Sequence, residues 1–211
     1  MVGVDGMPID DKQEMTFQQL LDNDERYVQD AIIRNEQIDE VLLERFSFTN
    51  VVFDRCIFVD CHFSKLELTD VLFKHCDLSN CKLEEGYYYR TSFLNCKLLG
   101  TKFVKSTFKH CSFDQCFANY ASFSEAHFDK TVFQQCSLND SDFYKIYHYQ
   151  LQFYNCELNA ANFEETKLNG LDLSSSYFEE LYLDLSKVKG LKIAPHQAPI
   201  IAMMFGIHIA E

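Results

Sequence analysis

The sequence predicts an all-β solenoid that winds as a square coil, with about twenty residues in each coil. Every fifth residue from Phe48 to Ile193 belongs to one apolar register, in which sixteen of thirty positions are Phe and nine are Leu. All nine cysteines lie two residues before a register position, and six of them recur every twenty residues from Cys56 to Cys156. Self-similarity at a short fixed period is typical of a solenoid.

A period of five fits neither an α-helix nor a long half-buried strand. Alternate residues of a strand share a face, so two inward residues separated by an outward one fit a short strand, after which the chain turns a corner. Four such sides close one coil. Coils stacked ~4.8 Å apart would turn residues 46–193 into a rod of about 35 Å, filled by Phe and Leu with smaller Cys, Ala, Ser and Thr between them.

The cysteines are predicted to be free thiols inside this rod. Free cysteine packs as a small hydrophobe, and thiols one coil apart are too far apart for a relaxed disulfide, whose Cβ atoms lie ~3.8 Å apart. The odd number, nine, also does not suit a disulfide framework. Reduced thiols favour a cytoplasmic protein.

The N-terminal part, residues 1–37, is expected to hold a short helix over Met15–Leu21 and at most an irregular first coil. The register extends back to Val28, but Arg26 and Glu36 would then occupy inward positions. The regular coils are therefore assigned to residues 38–193. The acidic start lacks the basic and apolar runs of a signal peptide, and no apolar run is long enough for a bilayer, so no membrane association is expected.

Residues 194–211 are predicted to form a dimerisation tail of one helix and one strand. Pro195 suits the first helical turn, Gly206 suits the position after the last turn, and Ile207–Ile209 suit a strand. The helix is apolar on more than one side, which favours a second chain related by a two-fold axis. The alternative is a monomeric cap. The expected dimer contacts are Ala198, Ile200, Ile201, Met203, Met204, Phe205 and Ile207.

The formal charge of −13 is unevenly distributed along the chain. Residues 113–185 hold twelve acids and three bases, whereas residues 86–112 hold five bases and no acid. An acidic surface argues against nucleic acid as a direct ligand, because phosphate contacts require clustered Lys and Arg. The alternative interpretation is an ordinary solvated surface.

Catalytic and metal sites are not expected, and neither is a cofactor. The sequence has no Gly-rich phosphate loop, no G-x-S-x-G and no H-E-x-x-H. Three His–Cys neighbours occur, at positions 61–62, 75–76 and 110–111, but adjacent strand residues point to opposite faces and cannot bind one ion together.

Two aromatic triplets, Tyr87–Tyr89 and Tyr147–Tyr149, are sixty residues apart and so lie on the same side of the rod. Their central residues, Tyr88 and His148, occupy inward positions where Phe or Leu is usual, so one interpretation is local packing around irregular coils. The other is a contact patch for a protein partner that uses Tyr87, Tyr89 and Tyr149, since Tyr is enriched in interface hot spots.

Runs such as CELNA-ANFEE-TKLNG and CSLND-SDFYK resemble the pentapeptide-repeat family, whose repeat is Ala-Asp/Asn-Leu/Phe-x-x. Asp142, Asn162 and Asp172 fill its Asp/Asn position. The tail GLKIAPHQAPIIAMMFGIHI is similar to the C-terminal helix and strand of the Qnr-type branch. The unbroken register resembles the members without insertion loops, so the loop residues that carry protection in other members have no counterpart here.

This resemblance implies a right-handed quadrilateral β-helix that forms a homodimer through its tail. It also implies a mimic of B-form DNA, which binds the type II topoisomerases DNA gyrase and topoisomerase IV and protects them from quinolones. A scaffold for another protein partner is the alternative. The expected partner contacts, all predicted to face outward, are Asp140, Asp142, Glu157, Glu164, Glu165, Glu179 and Glu180.

Overall fold

The structure is a computed structural model that describes residues 12–22 and 25–209. Parallel strands that lie one coil apart pair into the sheets of a rod with four faces. From Tyr27 onward each paired residue lies twenty positions from its partner, as in Phe48 with Leu68 and Leu68 with Tyr88. The short strand Gln13–Glu14 pairs instead with Ala31 and Ile32, eighteen positions away. The predicted coil of twenty residues and the solenoid fold are therefore confirmed.

We name the four faces A to D in the order in which the chain visits them. The corner residue that follows each strand is assigned to the same face as that strand. Face A is an eight-stranded sheet of Gln13–Glu14, Ala31–Arg34, Val52–Asp54, Leu72–Lys74, Ser92–Leu94, Ser112–Asp114, Val132–Gln134 and Gln152–Tyr154. Face D is a seven-stranded sheet of Tyr27–Gln29, Ser47–Thr49, Glu67–Thr69, Tyr87–Tyr89, Thr107–Lys109, His127–Asp129 and Tyr147–Tyr149.

Faces B and C begin as strands and continue as single-residue bridges. Face B holds Gln37–Asp39 and Ile57–Val59, followed by bridges at positions 77, 97, 117, 137, 157 and 177. Face C holds Leu42–Glu44, His62–Ser64 and Lys82–Glu84, followed by bridges at 102, 122 and 142 and by the pair Ala161–Asn162 and Leu181–Tyr182. Tight turns between these bridges leave room for only one ladder residue per side.

The corners are made by ordinary residues in the left-handed region. Twenty-eight residues other than glycine, from Arg26 to Glu165, have φ between 48° and 60°. Such a conformation disfavours side chains with a Cβ, so neighbouring structure must hold it in place. Hydrogen bonds between coils do so, because most corner N–H groups donate to a carbonyl of the next coil, as Asn50 does to Thr69 at 2.9 Å.

The interior is the predicted column of apolar side chains. All sixteen register phenylalanines are buried, and those of one face stack one above another; the ring centroids of Phe73 and Phe93 are 4.9 Å apart, and those of Phe93 and Phe113 are 4.7 Å apart. All nine cysteines are free and buried. Their thiols donate to carbonyls of the preceding coil, as Cys76 Sγ does to Phe53 at 3.3 Å. The inward, reduced assignment of the cysteines is confirmed.

The first coil is regular, although the sequence allowed only an irregular one before residue 38. Its strands begin at Tyr27 and Ala31. Glu36 is accommodated because a carboxylate oxygen accepts the backbone N–H of Phe17 at 2.8 Å. Phe17 opens the helix α1, Phe17–Leu21, which has a capping box from Thr16. Anions are stabilised at helix N-termini, so α1 supplies the partner that Glu36 needs.

Two 3₁₀ helices, Leu185–Lys187 and Pro195–Gln197, precede the helix α2, Ala198–Met204. The predicted tail helix is thus confirmed, and Gly206 follows it with a φ of 74°. Gln197 is buried and closes the end of the rod, because its amide donates to the carbonyls of Leu173 and Ser176 at 3.1 and 2.7 Å. Ile207–Ile209 pair with no strand of the described residues. No helix among those residues is long and apolar enough to cross a membrane.

Candidate protein-interaction surfaces

The acids of residues 113–185 concentrate on two adjacent faces. Faces B and C carry nine of the twelve acids of this segment and only one base, Lys145. The nine are Asp140, Glu157, Glu179 and Glu180 on face B, and Glu125, Asp142, Glu164, Glu165 and Asp184 on face C. Asp114, Asp129 and Asp172 lie on faces A and D. The acidic segment therefore has a strongly charged side and a nearly neutral side.

The structure places the seven acids predicted as partner contacts outward, and six of them are exposed. Asp142 is half-buried and belongs to a column of hydrogen bonds, because its carboxylate accepts from Ser122 Oγ at 3.2 Å and Asn162 Nδ2 at 3.1 Å. Glu165 is ion-paired with Lys187. Asp142 is half-buried and the charge of Glu165 is paired, so the other five are the better candidates for partner contacts. Glu157 also links two coils, because it accepts from Ser137 Oγ at 2.8 Å, but it is exposed.

Face B presents its acids on a rigid support. A column of asparagines links its coils, since the Asn139 N–H donates to Asn119 Oδ1 and the Asn159 N–H donates to Asn139 Oδ1, both at 2.9 Å. The N–H groups of Glu179 and Glu180 in turn donate to Asn159 Oδ1 at 2.9 and 3.0 Å. The carboxylates therefore extend from a backbone that is fixed coil by coil.

The basic stretch at residues 86–112 does not form one patch. Its five bases are spread over three faces: Lys97 on face B, Lys102 and Lys105 on face C, and Arg90 and Lys109 on face D. Arg90 is paired with Asp70, Lys97 with Asp77 and Lys109 with Asp129. The net positive charge of residues 86–112 is therefore distributed around the rod and largely paired with acids.

The outward tyrosines lie together on face D, as predicted, with Tyr87 and Tyr149 exposed and Tyr89 half-buried. The Arg90 guanidinium lies 4.3 Å from the centroid of the Tyr89 ring. The Tyr147 ring stacks on His127 with centroids 4.6 Å apart. Face D thus offers an aromatic surface with cations near it, well separated from the acids of face B.

Tyr88 fits the core without a bulge. It is fully buried, and its hydroxyl donates to the carbonyl of Leu83 at 3.2 Å. Gly86 makes room, because a Cβ there would lie 2.7 Å from Tyr88 Cε2. Burial raises the pKa of Tyr88 well above its usual range. The sequence predicted a polar atom in need of a partner here, and the structure supplies Leu83 as that partner.

His148 interrupts the sheet of face D. Its Nε2 donates to the carbonyl of Lys167 at 2.7 Å, and the seven-stranded sheet ends at this strand. The imidazole therefore substitutes for a backbone donor where strand pairing stops. Tyr147 and Tyr149 flank this point, so local packing explains part of this aromatic group.

The tail divides the predicted dimer contacts into two groups. Ile200, Ile201 and Met204 pack against the core of their own chain. Ala198 is exposed, and so are Met203 at 58% and Ile207 at 57%, while Phe205 is half-buried. The inward group covers the end of the rod, and the outward group is left with an apolar surface.

The described residues hold no cluster of side chains with the composition of a metal site. Among them, no three His, Cys, Asp or Glu side chains come together as metal ligands. Burial raises the pKa of the Cys111 thiol to about 12, and a thiol with a raised pKa is a poor nucleophile. Hydrogen bonds with neighbouring thiols lower the pKa of Cys61 and Cys76, but all nine thiols are buried away from solvent.

Two family models match the chain. A model described as a pentapeptide repeat region matches residues 87–163, and one described as pentapeptide repeats (8 copies) matches residues 47–85. Together they span more than half of the sequence. No curated protein matches the chain at a significant level.

Solved structures with a similar chain course include two of QnrB1, a plasmid-mediated fluoroquinolone resistance protein. A trypsin-treated variant of it is 22% identical with a TM-score of 0.45, covering 88% of this chain and 99% of that one. The full-length form is 18% identical with a TM-score of 0.43, covering 84% and 100%. HetL, a protein involved in heterocyst differentiation regulation in the cyanobacterium Nostoc sp. strain PCC 7120, is 14% identical with a TM-score of 0.44, covering 85% and 91%.

Proposed function

The chain belongs to the pentapeptide-repeat family, and we propose that it is a DNA mimic that binds the type II topoisomerases DNA gyrase and topoisomerase IV and protects them from quinolones. The repeat by itself specifies a fold and not a partner. The observation that carries the proposal is the set of nine acids on faces B and C. The similarity of the tail to the Qnr-type branch supplies the choice of partner.

The density of these acids approaches that of a DNA duplex. Residues 113–185 span about 17 Å of the rod at ~4.8 Å per coil. Nine carboxylates in that length amount to about one per 2 Å of axis, compared with about one phosphate per 1.7 Å in B-form DNA. A basic groove that binds duplex DNA therefore meets a similar linear charge on this side of the rod.

The proposed mimic is a homodimer joined through the tail. Met203 and Ile207 leave apolar surface outside the cap that α2 forms on its own chain. A two-fold axis through this surface would bring the acidic segments of two chains next to the junction. The most negative part of the long rod would then lie at its centre, where a topoisomerase holds a DNA segment.

We assign the protein a binding role without catalysis, in the cytoplasm where these topoisomerases act. Its acids would compete with DNA for the enzyme rather than contact nucleic acid. Electrostatic attraction between an acidic rod and a basic groove speeds association and is weakened by salt. The binding should therefore decrease as the salt concentration rises.

A scaffold for another protein is the second candidate, favoured by the tyrosines of face D. Tyr87, Tyr147 and Tyr149 are exposed on one face. Tyr is enriched in interface hot spots. This surface faces away from face B, so the two candidates are separable by mutation.

A supercoiling assay tests the proposed function. Purified protein is added to DNA gyrase with relaxed plasmid, with and without a quinolone. We expect supercoiling to be restored in the presence of the drug at low protein concentration and inhibited at high concentration, because a mimic competes with DNA. A Tyr87→Ala, Tyr149→Ala double variant serves as the matched control and is expected to behave like the wild type. Absence of both effects in the wild type would refute the proposal, and loss of both in the control would favour the scaffold.

A further inference from the structure

Phe117 is the one exposed phenylalanine of this chain. All twenty phenylalanines lie within the described residues; eighteen are buried, Phe205 is half-buried and Phe117 is 63% exposed. It precedes the inward residue Ala118 on face B, in a column where the coils above hold Ser137 and Glu157. Position 117 lies outside the five-residue register that fills the core.

The fold does not require this aromatic ring. The backbone N–H of Phe117 donates to the carbonyl of Cys96 at 3.0 Å, and its carbonyl accepts from Leu98 at 2.8 Å. The inward positions on either side are filled by Cys116 and Ala118, both buried. The ring therefore projects from the face with its backbone fully paired, and its removal leaves the core unchanged.

Other apolar groups lie beside Phe117. Leu99 is exposed one coil below, and Tyr120 is 63% exposed at the corner of the same coil. A groove of about 410 Å³ runs along the corner between faces A and B, and its lining includes Asn95, Gln115, Phe117, Gln135, Asn155 and Glu157. Face B therefore combines an apolar centre with amides on one side.

Acids border this apolar centre on the side of the later coils, whereas Lys97, one coil below Phe117, is ion-paired with Asp77. Asp140 follows Tyr120 in the same corner column, one coil above it, and Glu157 lies two coils above Phe117. An apolar centre with a polar, solvent-accessible rim is the usual anatomy of a protein interface. Duplex DNA presents phosphates but no projecting aromatic group, so this centre is a feature that a purely electrostatic mimic would not need.

We propose that Phe117, flanked by Leu99 and Tyr120, is the apolar anchor of the partner-binding surface on face B. Its partner is the basic protein surface that receives the acids, and that surface holds an apolar pocket for the ring. The inference rests on the proposed function and deepens it. The acids supply attraction and the anchor supplies selectivity for a protein groove over other basic surfaces.

A second copy of this chain is a poorer occupant. Two copies meeting through face B would bring the acids of this face against each other, and like charges across an interface cost several kcal/mol. A dimer through the tail leaves Phe117 open, because four coils separate it from position 197, or about 19 Å. Charge complementarity therefore favours a basic protein surface.

Binding to immobilised DNA gyrase tests the anchor, with Phe117→Ala as the variant. Tyr154→Ala is the matched control, since Tyr154 is an aromatic residue of face A that is 43% exposed. We expect Phe117→Ala to weaken binding about 30-fold, which corresponds to a hot spot of about 2 kcal/mol. The steepness of the salt dependence should stay that of the wild type, because no charge is removed. Phe117→Leu should lose less affinity, since it keeps an apolar side chain.

The outcomes separate this inference from the proposed function. If the wild type binds gyrase and the affinity of Phe117→Ala is within about twofold of it, the anchor is overturned and the proposed DNA mimicry is unaffected. Equal losses in Phe117→Ala and Tyr154→Ala would also overturn it, because the effect would not be specific to face B. Failure of the wild type itself to bind gyrase would overturn both. Thermal unfolding of each variant confirms that the coils persist.

Discussion

Neutralising the acids of face B should weaken topoisomerase binding without disturbing the fold. The perturbation is Asp140→Asn with Glu157→Gln, Glu179→Gln and Glu180→Gln in one chain. All four are exposed, and an amide at position 157 can still accept the hydrogen bonds that Glu157 receives from Ser137 and Asn139. We leave Asp142 and Glu165 unchanged, because one holds a hydrogen-bonded column and the other is ion-paired.

The size of the effect follows from the exposure of these groups. An exposed ion pair contributes about 0.5 kcal/mol, so four pairs with a basic partner contribute about 2 kcal/mol, or roughly a 30-fold change in affinity. Salt screens exposed pairs. The affinities of wild type and variant should therefore converge as the salt concentration is raised.

Binding to gyrase measured at low and high salt checks this prediction. The control neutralises the same number of acids on faces A and D, with amides at Glu67, Asp70, Asp129 and Asp172. Asp70, Asp129 and Asp172 are ion-paired with bases of neighbouring coils, so thermal unfolding is measured to show that the control keeps its coils. Both variants change the net charge equally, so a general charge effect weakens both to the same extent. Equal affinity of the face B variant and the wild type at low salt would refute mimicry by this face, and so would equal losses in the two variants.

Three further predictions concern the tail, the core and the thiols. Met203→Asp with Ile207→Asp should give a monomer by light scattering with an unchanged unfolding temperature, and a persistent dimer would place the interface elsewhere. Gly86→Ala should lower the free energy of unfolding by about 1–3 kcal/mol, as overpacking does, because its Cβ would lie 2.7 Å from Tyr88 Cε2; Tyr88→Leu should restore part of the loss in chemical denaturation. The nine thiols should react slowly with a thiol reagent in the native state because all are buried, and fast labelling of more than two would contradict their inward placement.

The choice of Met203 and Ile207 for the tail variant depends on which side of the helix packs against its own chain, and the sequence alone does not determine that side. A helix that is apolar on several sides predicts a partner but does not say which side meets its own chain. In the structure Ile201 packs on the rod, so charging Ile201 would disturb the cap as well as any dimer. Met203 and Ile207 point away and separate the two effects. Only tertiary contacts could make this distinction.

The core was predictable because its period is strict, whereas compensating pairs were not. The spacing of five predicts inward Phe48 and Cys56, and both are buried. It gives no reason to expect that Gly86 would make room for Tyr88, or that α1 would stabilise Glu36. Both accommodations depend on contacts between particular residues, and a repeating spacing of apolar residues carries no information about such contacts. A polar residue at an inward position predicts a need for a partner and leaves the identity of that partner undetermined.

The proposed partner-binding surface is built from residues that lie twenty positions apart in the sequence, not from neighbours along the chain. In the column of face B at positions 117, 137, 157 and 177, the side chains are Phe, Ser, Glu and Tyr on one regular backbone. The register positions fix the coil, so these outward positions can change without affecting it. The net charge of a sequence segment combines residues from all four faces. Residues 86–112 therefore carry a net charge of +5 without forming a basic patch, while acids from separate coils lie together on faces B and C. Substitutions that favour a partner can therefore occur in one outward column without affecting the others. Membership in the repeat family specifies the backbone of the rod, whereas the side chains of the outward columns determine which partner it can bind.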